Sequence, residues 1–449
     1  MLAVVLAAHA IGQNHGNAAA DTSVAERLSV TAFEIVSIDG FEPPPDGGPV
    51  VVQLGATIGA VVVAPMPDVG PDGRSLRPVV RAVPALPADA TAGVARPIVY
   101  RGTIRDDAGS RVVLCASVLG LHGRVARANG DVLWIQPLRS IDRDAAPALH
   151  VVYRQSDIVV PPGLCPVEAP ADAAPPPEGG VAGTGGLSSV AQIAFDADYE
   201  YYLKNDASVA ETEADITAVM SAVNEVYERD CGITHAITEI VVRTVEPDPY
   251  TSTNHNARLS QMKTEWNTNQ SGVPRDVAHL MTGVNLDGSV IGAAYVGTVC
   301  ETPQAYGLTQ NQYTTNFGLR TALTAHELGH CWNATHCNQV DPPQTPCNIM
   351  CSTNGGCQGI GLPNFGPYSI GKITSFAAGL DCLQPGTTWV DFAYSGTEQG
   401  TFDHPFNTLA EALAALPPGG HITIKAGATS ATITTSTPTS IEAYGGSVT

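Results

Sequence analysis

Positive charge is scarce in this sequence. It contains 22 Lys and Arg against 43 Asp and Glu, which gives a formal net charge of −21 at pH 7. Nucleic acids and anionic membranes are bound through basic patches, so the composition argues against both partners and favours a soluble protein. Long hydrophobic runs are also lacking. The apolar stretch 2–11 is too short to cross a bilayer, and no later stretch is apolar enough, so no membrane span is expected.

The N-terminus has no basic residue before its apolar run, and the first one is Arg27. Secretory signal peptides usually begin with a positively charged segment. Residues 8–10 and 18–20 nevertheless give small-residue cleavage patterns. We therefore predict a signal peptide over 1–20 and a secreted or extracellular protein, with association to the cell surface as a second option. The alternative for the N-terminus is a buried strand.

Charged residues make up only 14% of the sequence, while glycine (45) and proline (34) are frequent. This composition favours turns and strands over long surface helices. At 449 residues the chain is too long for one compact core, so two or three domains are expected. Short alternating strands, with a tight turn at Asn129-Gly130, predict a β-rich domain over 21–160. Residues 161–188, dense in Pro, Gly and Ala, predict an exposed linker.

The pattern changes after the predicted linker. Strand and helix patterns alternate over 189–388, which predicts an α/β (α+β) domain with a mixed sheet and helices packed against it. Within it, Asp287-Gly288 predicts the turn of a hairpin. Over 389–449, short Ile- and Thr-rich strands separated by glycines predict a stacked coil or a small sandwich.

Ten cysteines are unevenly spread, and seven of them lie between 300 and 382. Clustered cysteines in an exported chain indicate disulfides. The spacing of Cys347, Cys351 and Cys357 lacks the paired CxxC of a structural zinc ribbon, which also favours disulfides.

The segment TAHELGHCWNATHC places three histidines close together. His326 and His330 are four residues apart in a helical pattern, so both rings can point from one face of a helix to one point. A catalytic zinc takes three protein ligands and a water, and His336 can be the third if the chain reverses. Asn333 allows that reversal, because Asn follows Gly in tolerating the positive φ that ends a helix sharply.

Glu327 is then placed as the general base that takes a proton from a zinc-bound water and passes it to a leaving amine. The alternative is a set of ordinary polar residues on an exposed helix, because short HExxH matches also arise by chance. Requiring His336 as well tightens the match about 37-fold, since 12 of 449 residues are His. The sequence therefore predicts one catalytic Zn²⁺. It offers no EF-hand-like loop to support a calcium ion.

The pattern HExxHxxNxxH resembles that of the metzincin zinc peptidases, HExxHxxGxxH followed by a Met-turn, with Asn333 at the glycine position. Met350, in PCNIMCS, resembles the Met-turn residue, which packs beneath the metal. Within the metzincins, the stretches AHLMTGVNLDGSVIGAAYVGTVC, CNIMC and YRGTIRDDAGSRVVLCASVLGLHGRVARANGDVLWIQPL are most similar to the reprolysin (adamalysin or ADAM-like) branch. Position 352 is Ser352 where astacin-like and serralysin-like enzymes have tyrosine. Cys337 stands where reprolysins usually have Asp.

The resemblance implies a zymogen whose propeptide, residues 21–160, acts as an intramolecular inhibitor. It also implies a propeptide thiolate in the open position of zinc, and Cys165 lies where that residue is expected, although Pro166 replaces the usual glycine. One alternative is that Cys165 is a linker cysteine without this role. The other is that Cys115 is the switch, that is, the inhibitory zinc ligand. Without the propeptide eight cysteines remain, enough for four bridges. The family suggests pairing of Cys300 with Cys382.

The segment GTFDHPFNTLAEALAALPPGGHITIKAG resembles the entry to a right-handed parallel β-helix, with a small β accessory domain as the alternative. The leading hypothesis is a secreted zinc endopeptidase acting on proteins or peptides that lie along the sheet edge near residue 290. The alternatives are a surface adhesin or glycan-binding β-helix protein with an ancillary peptidase module, and a zinc-binding pseudoenzyme. Glu327 argues against the pseudoenzyme.

Overall fold

A computed structural model defines most of the chain. The residues it describes are 5–6, 18–38, 49–66, 77–85, 95–160, 189–353, 364–396, 398–402, 405–416, 420–430, 432, 434 and 439–449. Most of the predicted signal peptide and the whole predicted linker, with Cys165, lie outside these residues.

The N-terminal part is built on a sheet that is antiparallel except for the pairing of its first strand. Its elements are β1 (Val5–Leu6), α1 (Ala18–Leu28), β2 (Glu34–Ser37), β3 (Val50–Gln53), α2 (Gly55–Ile58), β4 (Ala60–Pro65), β5 (Val79–Val83), β6 (Ile98–Ile104), β7 (Asp107–Ser117), β8 (Gly120–Ala126), β9 (Val132–Pro137) and β10 (Leu149–Arg154). All of these strands except β5 form one sheet in the order β1-β3-β4-β6-β7-β8-β9-β10-β2. The predicted turn joins β8 to β9, where Gly130 has φ +90°.

The next part alternates strands and helices. Its elements are β11 (Ser189–Ala197), α3 (Tyr199–Lys204), α4 (Val209–Cys231), β12 (Ile233–Arg243), α5 (His255–Thr268), β13 (Val277–Met281), β14 (Gly292–Ala294), β15 (Tyr306–Thr309), α6 (Phe317–Cys331) and α7 (Pro367–Ala377). The strands form a mixed sheet in the order β14-β15-β13-β11-β12-β5. Only β14 is antiparallel to its neighbour on this path. The predicted mixed α/β fold is confirmed.

The hairpin predicted at Asp287-Gly288 is wrong. Strands β13 and β14 flank this turn but do not pair with each other, because β15 lies between them. β15 is parallel to β13 and antiparallel to β14. Gly288 does take a turn conformation, with φ +71°. The local turn signal was correct, but the pairing depends on a strand that comes later in the chain.

The helices form where capping residues and apolar spacing coincide. Ser208 accepts a hydrogen bond from the Glu211 N–H at the start of α4, and Gly232 ends the helix with φ +66°. The residues of α4 with helical spacing are buried as expected: Ile216, Val219, Met220, Val223 and Val226. Helix α6 packs on α4 in the main hydrophobic core.

The C-terminal part contains β16 (Gln384–Pro385), β17 (Thr387–Val390), α8 (Leu409–Ala415), β18 (His421–Gly427) and β19 (Ser440–Val448). Strand β16 pairs with β11, and β17, β18 and β19 form a separate parallel sheet. None of the described helices is both long and apolar enough to cross a bilayer.

The disulfide bonds agree only in part with the sequence analysis. Cys300 is bonded to Cys382, the pairing that the resemblance suggested, and Cys337 is bonded to Cys347. Cys231 and Cys331 are free thiols, so the last eight cysteines do not form the four bridges for which their number would suffice. Cys331 is fully buried on α6 with its Sγ 3.7 Å from the Tyr306 carbonyl oxygen, where it packs as a small apolar side chain.

Candidate metal centre

Helix α6 carries two of the three histidines. Asn316 caps its start by accepting a hydrogen bond from the Leu319 N–H. His326 and His330 lie one turn apart near its end, and their ring centroids are 4.8 Å apart. Both side chains are buried, as is every residue of the helix.

The chain reverses directly after α6. Asn333 has φ +69°, and its N–H donates to the His330 carbonyl oxygen at 2.8 Å. The segment after β14 caps the same helix end: Gly297 N–H donates to the His330 oxygen at 2.9 Å, and Thr298 N–H donates to the Cys331 oxygen at 2.9 Å. These bonds satisfy carbonyls that the helix end would leave without partners.

The reversal brings His336 back to the other two rings. The Nε2 atoms of His326 and His330 are 3.1 Å apart, and each lies 3.2 Å from Nε2 of His336. A tetrahedral zinc with Zn–N bonds of 2.0–2.1 Å separates its nitrogen ligands by about 3.3 Å. The three nitrogens therefore match one zinc ion in both type and spacing.

Each imidazole is held by its second nitrogen. Nδ1 of His326 lies 2.6 Å from the Ile349 carbonyl oxygen, and Nδ1 of His330 lies 2.7 Å from that of Ala334. Nδ1 of His336 lies 3.0 Å from Oε1 of Gln339. Because all three partners are acceptors, each proton belongs on Nδ1, and the Nε2 lone pairs face the common point.

Burial keeps these rings neutral. Burial and the nearby His336 ring lower the pKa of His326 to about 3. Burial and the two other rings lower the pKa of His330 well below its usual value, and burial also lowers the pKa of His336. Neutral imidazole is the form that binds a metal ion.

Glu327 is fully buried on α6, beside the edge strand β14. A Cβ atom built on Gly292 would lie 2.3 Å from Glu327 Oε1, so only glycine leaves room for the carboxylate there. Glu327 and the outer edge of the sheet are thus direct neighbours.

Met350 packs against α6 at Gly329. A Cβ atom on Gly329 would lie 2.5 Å from the Met350 sulfur, so the absence of a side chain at residue 329 admits the methionine. Met350 is fully buried, and its carbonyl oxygen accepts the Cys337 N–H at 3.2 Å. The Cys337–Cys347 disulfide further ties the loop of the third histidine to this segment.

Of the two candidate switch cysteines, the structure describes only one. Cys165 lies outside the described residues. Cys115 is fully buried in the middle of β7, which pairs with β6 and β8. Burial raises the pKa of its thiol to about 12, which disfavours the thiolate that would bind zinc.

Three positions of the site were not predicted from the sequence. Gln339 lies three residues after the third histidine, and this spacing is the only sequence feature that points to it. Gly292 and Gly329 serve by lacking side chains, and the sequence alone does not reveal which side chain each one accommodates.

Comparisons with known proteins agree with this geometry. Residues 187–363 match the family model described as Reprolysin_5, metallo-peptidase family M12. Two relatives from Gloydius brevicauda, the zinc metalloproteinase-disintegrin-like brevilysins H2a and H2b, are each 29% identical over 160 residues. The match covers 35% of this chain and 36% of each relative, so it spans about a third of their length. Residues 187–363 are thus a reprolysin-type zinc metallopeptidase domain of family M12.

Proposed function

We propose that the whole protein is a secreted zinc endopeptidase made as a zymogen, with His326, His330 and His336 as zinc ligands and Glu327 as the general base. The observation that carries this proposal is the convergence of three Nε2 atoms within 3.2 Å of one another, one helical turn from a buried glutamate. The disulfides Cys300–Cys382 and Cys337–Cys347 support an extracellular location.

When bound, zinc would polarise the scissile carbonyl and lower the pKa of a water molecule. The chain's own residues would do the rest. Glu327 would take the proton of the attacking water and deliver it to the leaving amine. Among the described residues, strand β14 pairs on one side only, with β15, so its outer edge offers backbone groups to an extended peptide. Gly292, in this strand, would keep the scissile bond close to Glu327.

The remaining assignments belong to the same proposal. Residues 1–20 would be the signal peptide, 21–160 the propeptide domain, 161–188 the linker, 189–388 the catalytic domain and 389–449 the start of a β-helix. Cys165 would be the inhibitory zinc ligand, and Met350 the Met-turn residue. The burial of Cys115 favours Cys165 over it. The parallel pairing of β17, β18 and β19 supports a β-helix.

The decisive variant is Glu327→Gln, which keeps the shape of the side chain and removes the base. We expect it to bind one zinc per chain and to cleave casein at least about 100-fold more slowly. Glu301→Gln, at an exposed position in the loop after β14, is the matched control and should retain cleavage. Unchanged cleavage by Glu327→Gln would refute the proposed base.

The parallel C-terminal sheet keeps a second function open, that of an adhesin or glycan-binding protein with an ancillary peptidase. Glu327→Gln separates the two, because a glycan-binding function would persist in this variant. Binding of the full chain to immobilised glycans, unaffected by the substitution, would favour the second function.

A further inference from the structure

The N-terminal region, defined here as residues 18–160, contributes a strand to the mixed sheet of β11 to β15, called the catalytic sheet below. Strand β5 pairs with β12 in parallel, with Val79 opposite Glu239 and Val83 opposite Arg243. The pairing continues beyond the strand, because the Thr244 N–H donates to the Val83 oxygen at 3.0 Å. The sheet of the peptidase domain therefore has one edge made by a strand from outside that domain.

Side chains reinforce this pairing. Arg81, on β5, donates from Nε to Glu239 Oε1 at 2.8 Å and from Nη2 to Gln270 Oε1 at 2.7 Å. Both acceptors belong to the catalytic part of the chain. The strand is thus fixed by backbone and side-chain contacts together.

A second contact joins N-terminal arginines to acidic residues of α4. Arg124 pairs with Glu225, and the two side chains are only 0% and 4% exposed. Arg101 donates to both carboxylate oxygens of Glu228. Arg96 donates to Glu213 at 2.6–2.8 Å, and Arg111 lies 3.7 Å from Glu225. Removing the N-terminal region would take from the buried Glu225 its two N-terminal arginines and leave it Arg229 of the same helix, 4.0 Å away, which is unfavourable.

A third contact supports the start of the active-site helix. The Phe317 N–H donates to Gln136 Oε1 at 2.9 Å, and Asn316 Nδ2 donates to the Leu28 oxygen at 2.8 Å. Trp134 meets the Phe317 ring edge-on, with centroids 5.6 Å apart, and both side chains are buried. The helix that carries His326 and His330 therefore begins inside this interface.

A fourth contact comes from the C-terminal part. The Tyr444 hydroxyl donates to the Ala64 oxygen at 3.0 Å, and Trp389, Phe402 and Tyr444 form an apolar cluster with Ala64. The N-terminal region is thus held by the catalytic sheet, by α4 and α6, and by the C-terminal sheet.

We propose that the N-terminal region stays bound after the linker is cut, so that the processed protein is a stable non-covalent complex of two chains. The partner that fits the acidic face of α4 and the edge of β12 is the protein's own N-terminal region. Cutting within 161–188 would then alter the linker that carries Cys165 without exposing this interface. The effect of the cut on the linker that carries Cys165 rests on the proposed function, whereas the retention of the N-terminal region does not.

The test uses the full chain with Glu327→Gln, which excludes self-cleavage, and a site-specific protease sequence inserted after Gly180. After complete cutting, we expect the two fragments to elute together from a size-exclusion column and to separate only in denaturant. Elution of a folded, zinc-binding fragment that begins after the cut, free of the N-terminal fragment, would overturn the proposal. The assay requires no peptidase activity, so its result is independent of the proposed catalysis.

Variants then locate the contact. Arg124→Ala should raise the Kd of the cut complex about 100-fold, because it removes the nearest counter-charge of the buried Glu225 and leaves only Arg111 at 3.7 Å and Arg229 at 4.0 Å. Arg96→Ala removes a more exposed ion pair and should raise the Kd about two- to five-fold. Arg105→Ala, at an exposed position between β6 and β7, should change it less than about two-fold. Equal Kd values for Arg124→Ala and Arg105→Ala would overturn the assigned interface.

Discussion

At the scale of single residues, the metal site depends on groups that never touch the metal. Two histidines are oriented by backbone oxygens, of Ile349 and Ala334, which a side-chain substitution does not remove. The third, His336, depends on a side chain, Gln339, with its Oε1 3.0 Å from Nδ1. His336 is therefore the ligand that a single substitution can most easily loosen.

We expect Gln339→Ala to weaken zinc binding about 10- to 100-fold, the usual cost of losing a partner that orients a metal-binding histidine. Gln339→Glu, which keeps an acceptor at the same reach, should restore most of the affinity. Gln344→Ala, in the same loop, is the control. Competition with a chromophoric chelator measures the zinc affinity of all three variants. An unchanged zinc affinity in Gln339→Ala would show that His336 is oriented by other contacts.

At the scale of elements, α6 could be predicted and the pairing of β14 could not. The helix follows from the spacing of its apolar residues and histidines, and its sharp end follows from the tolerance of Asn333 for positive φ. The partner of β14 is decided by β15, beyond the predicted turn, and no local pattern in the sequence reveals that order. Elements held by local interactions were thus predictable, whereas distant pairings were not.

The turn after α6 supplies the test at this scale. Asn333→Gly should preserve both stability and zinc affinity, because glycine adopts φ +69° without strain. Asn333→Val should lower the free energy of unfolding by about 2 kcal/mol and weaken zinc binding, because the left-handed conformation crowds a β-branched side chain. Urea unfolding and zinc titration of both variants measure this. Equal free energies of unfolding and equal zinc affinities for Asn333→Gly and Asn333→Val would mean that the chain does not need a positive φ at this position to reverse.

At the scale of the whole molecule, the main surprise is that the predicted domains share elements. Strand β5 is more than 150 residues from β12 in the sequence, and its five residues, with Val79 exposed, have no pattern that distinguishes one sheet from the other. The arginines that meet α4 are likewise scattered over β6, β7 and β8 and the residues before them. Composition predicts a linker over 161–188, but it carries no information about contacts between the regions on either side of it.

Four of the buried histidines outside the metal site have a lowered pKa, and they are distributed over both parts. His122 and His150 lie in the N-terminal sheet, and His235 and His279 lie in the catalytic sheet. Burial lowers the pKa of His122, His235 and His279 to about 3 and that of His150 to about 4. In the unfolded chain each would titrate near its ordinary value of about 6.5.

These shifts predict that the protein loses stability in mild acid. Below about pH 6.5 the unfolded chain binds protons that the folded chain does not, so the free energy of unfolding falls as the pH falls. Between pH 7.5 and 5.5 each histidine contributes roughly 1 kcal/mol, and the four together contribute roughly 5 kcal/mol. Burial raises the pKa of Asp248 to about 6, which opposes this loss by about 1 kcal/mol. The site histidines act in the same direction as the four. Urea unfolding at both pH values measures the difference, and equal free energies would show that these rings become protonated in the folded protein.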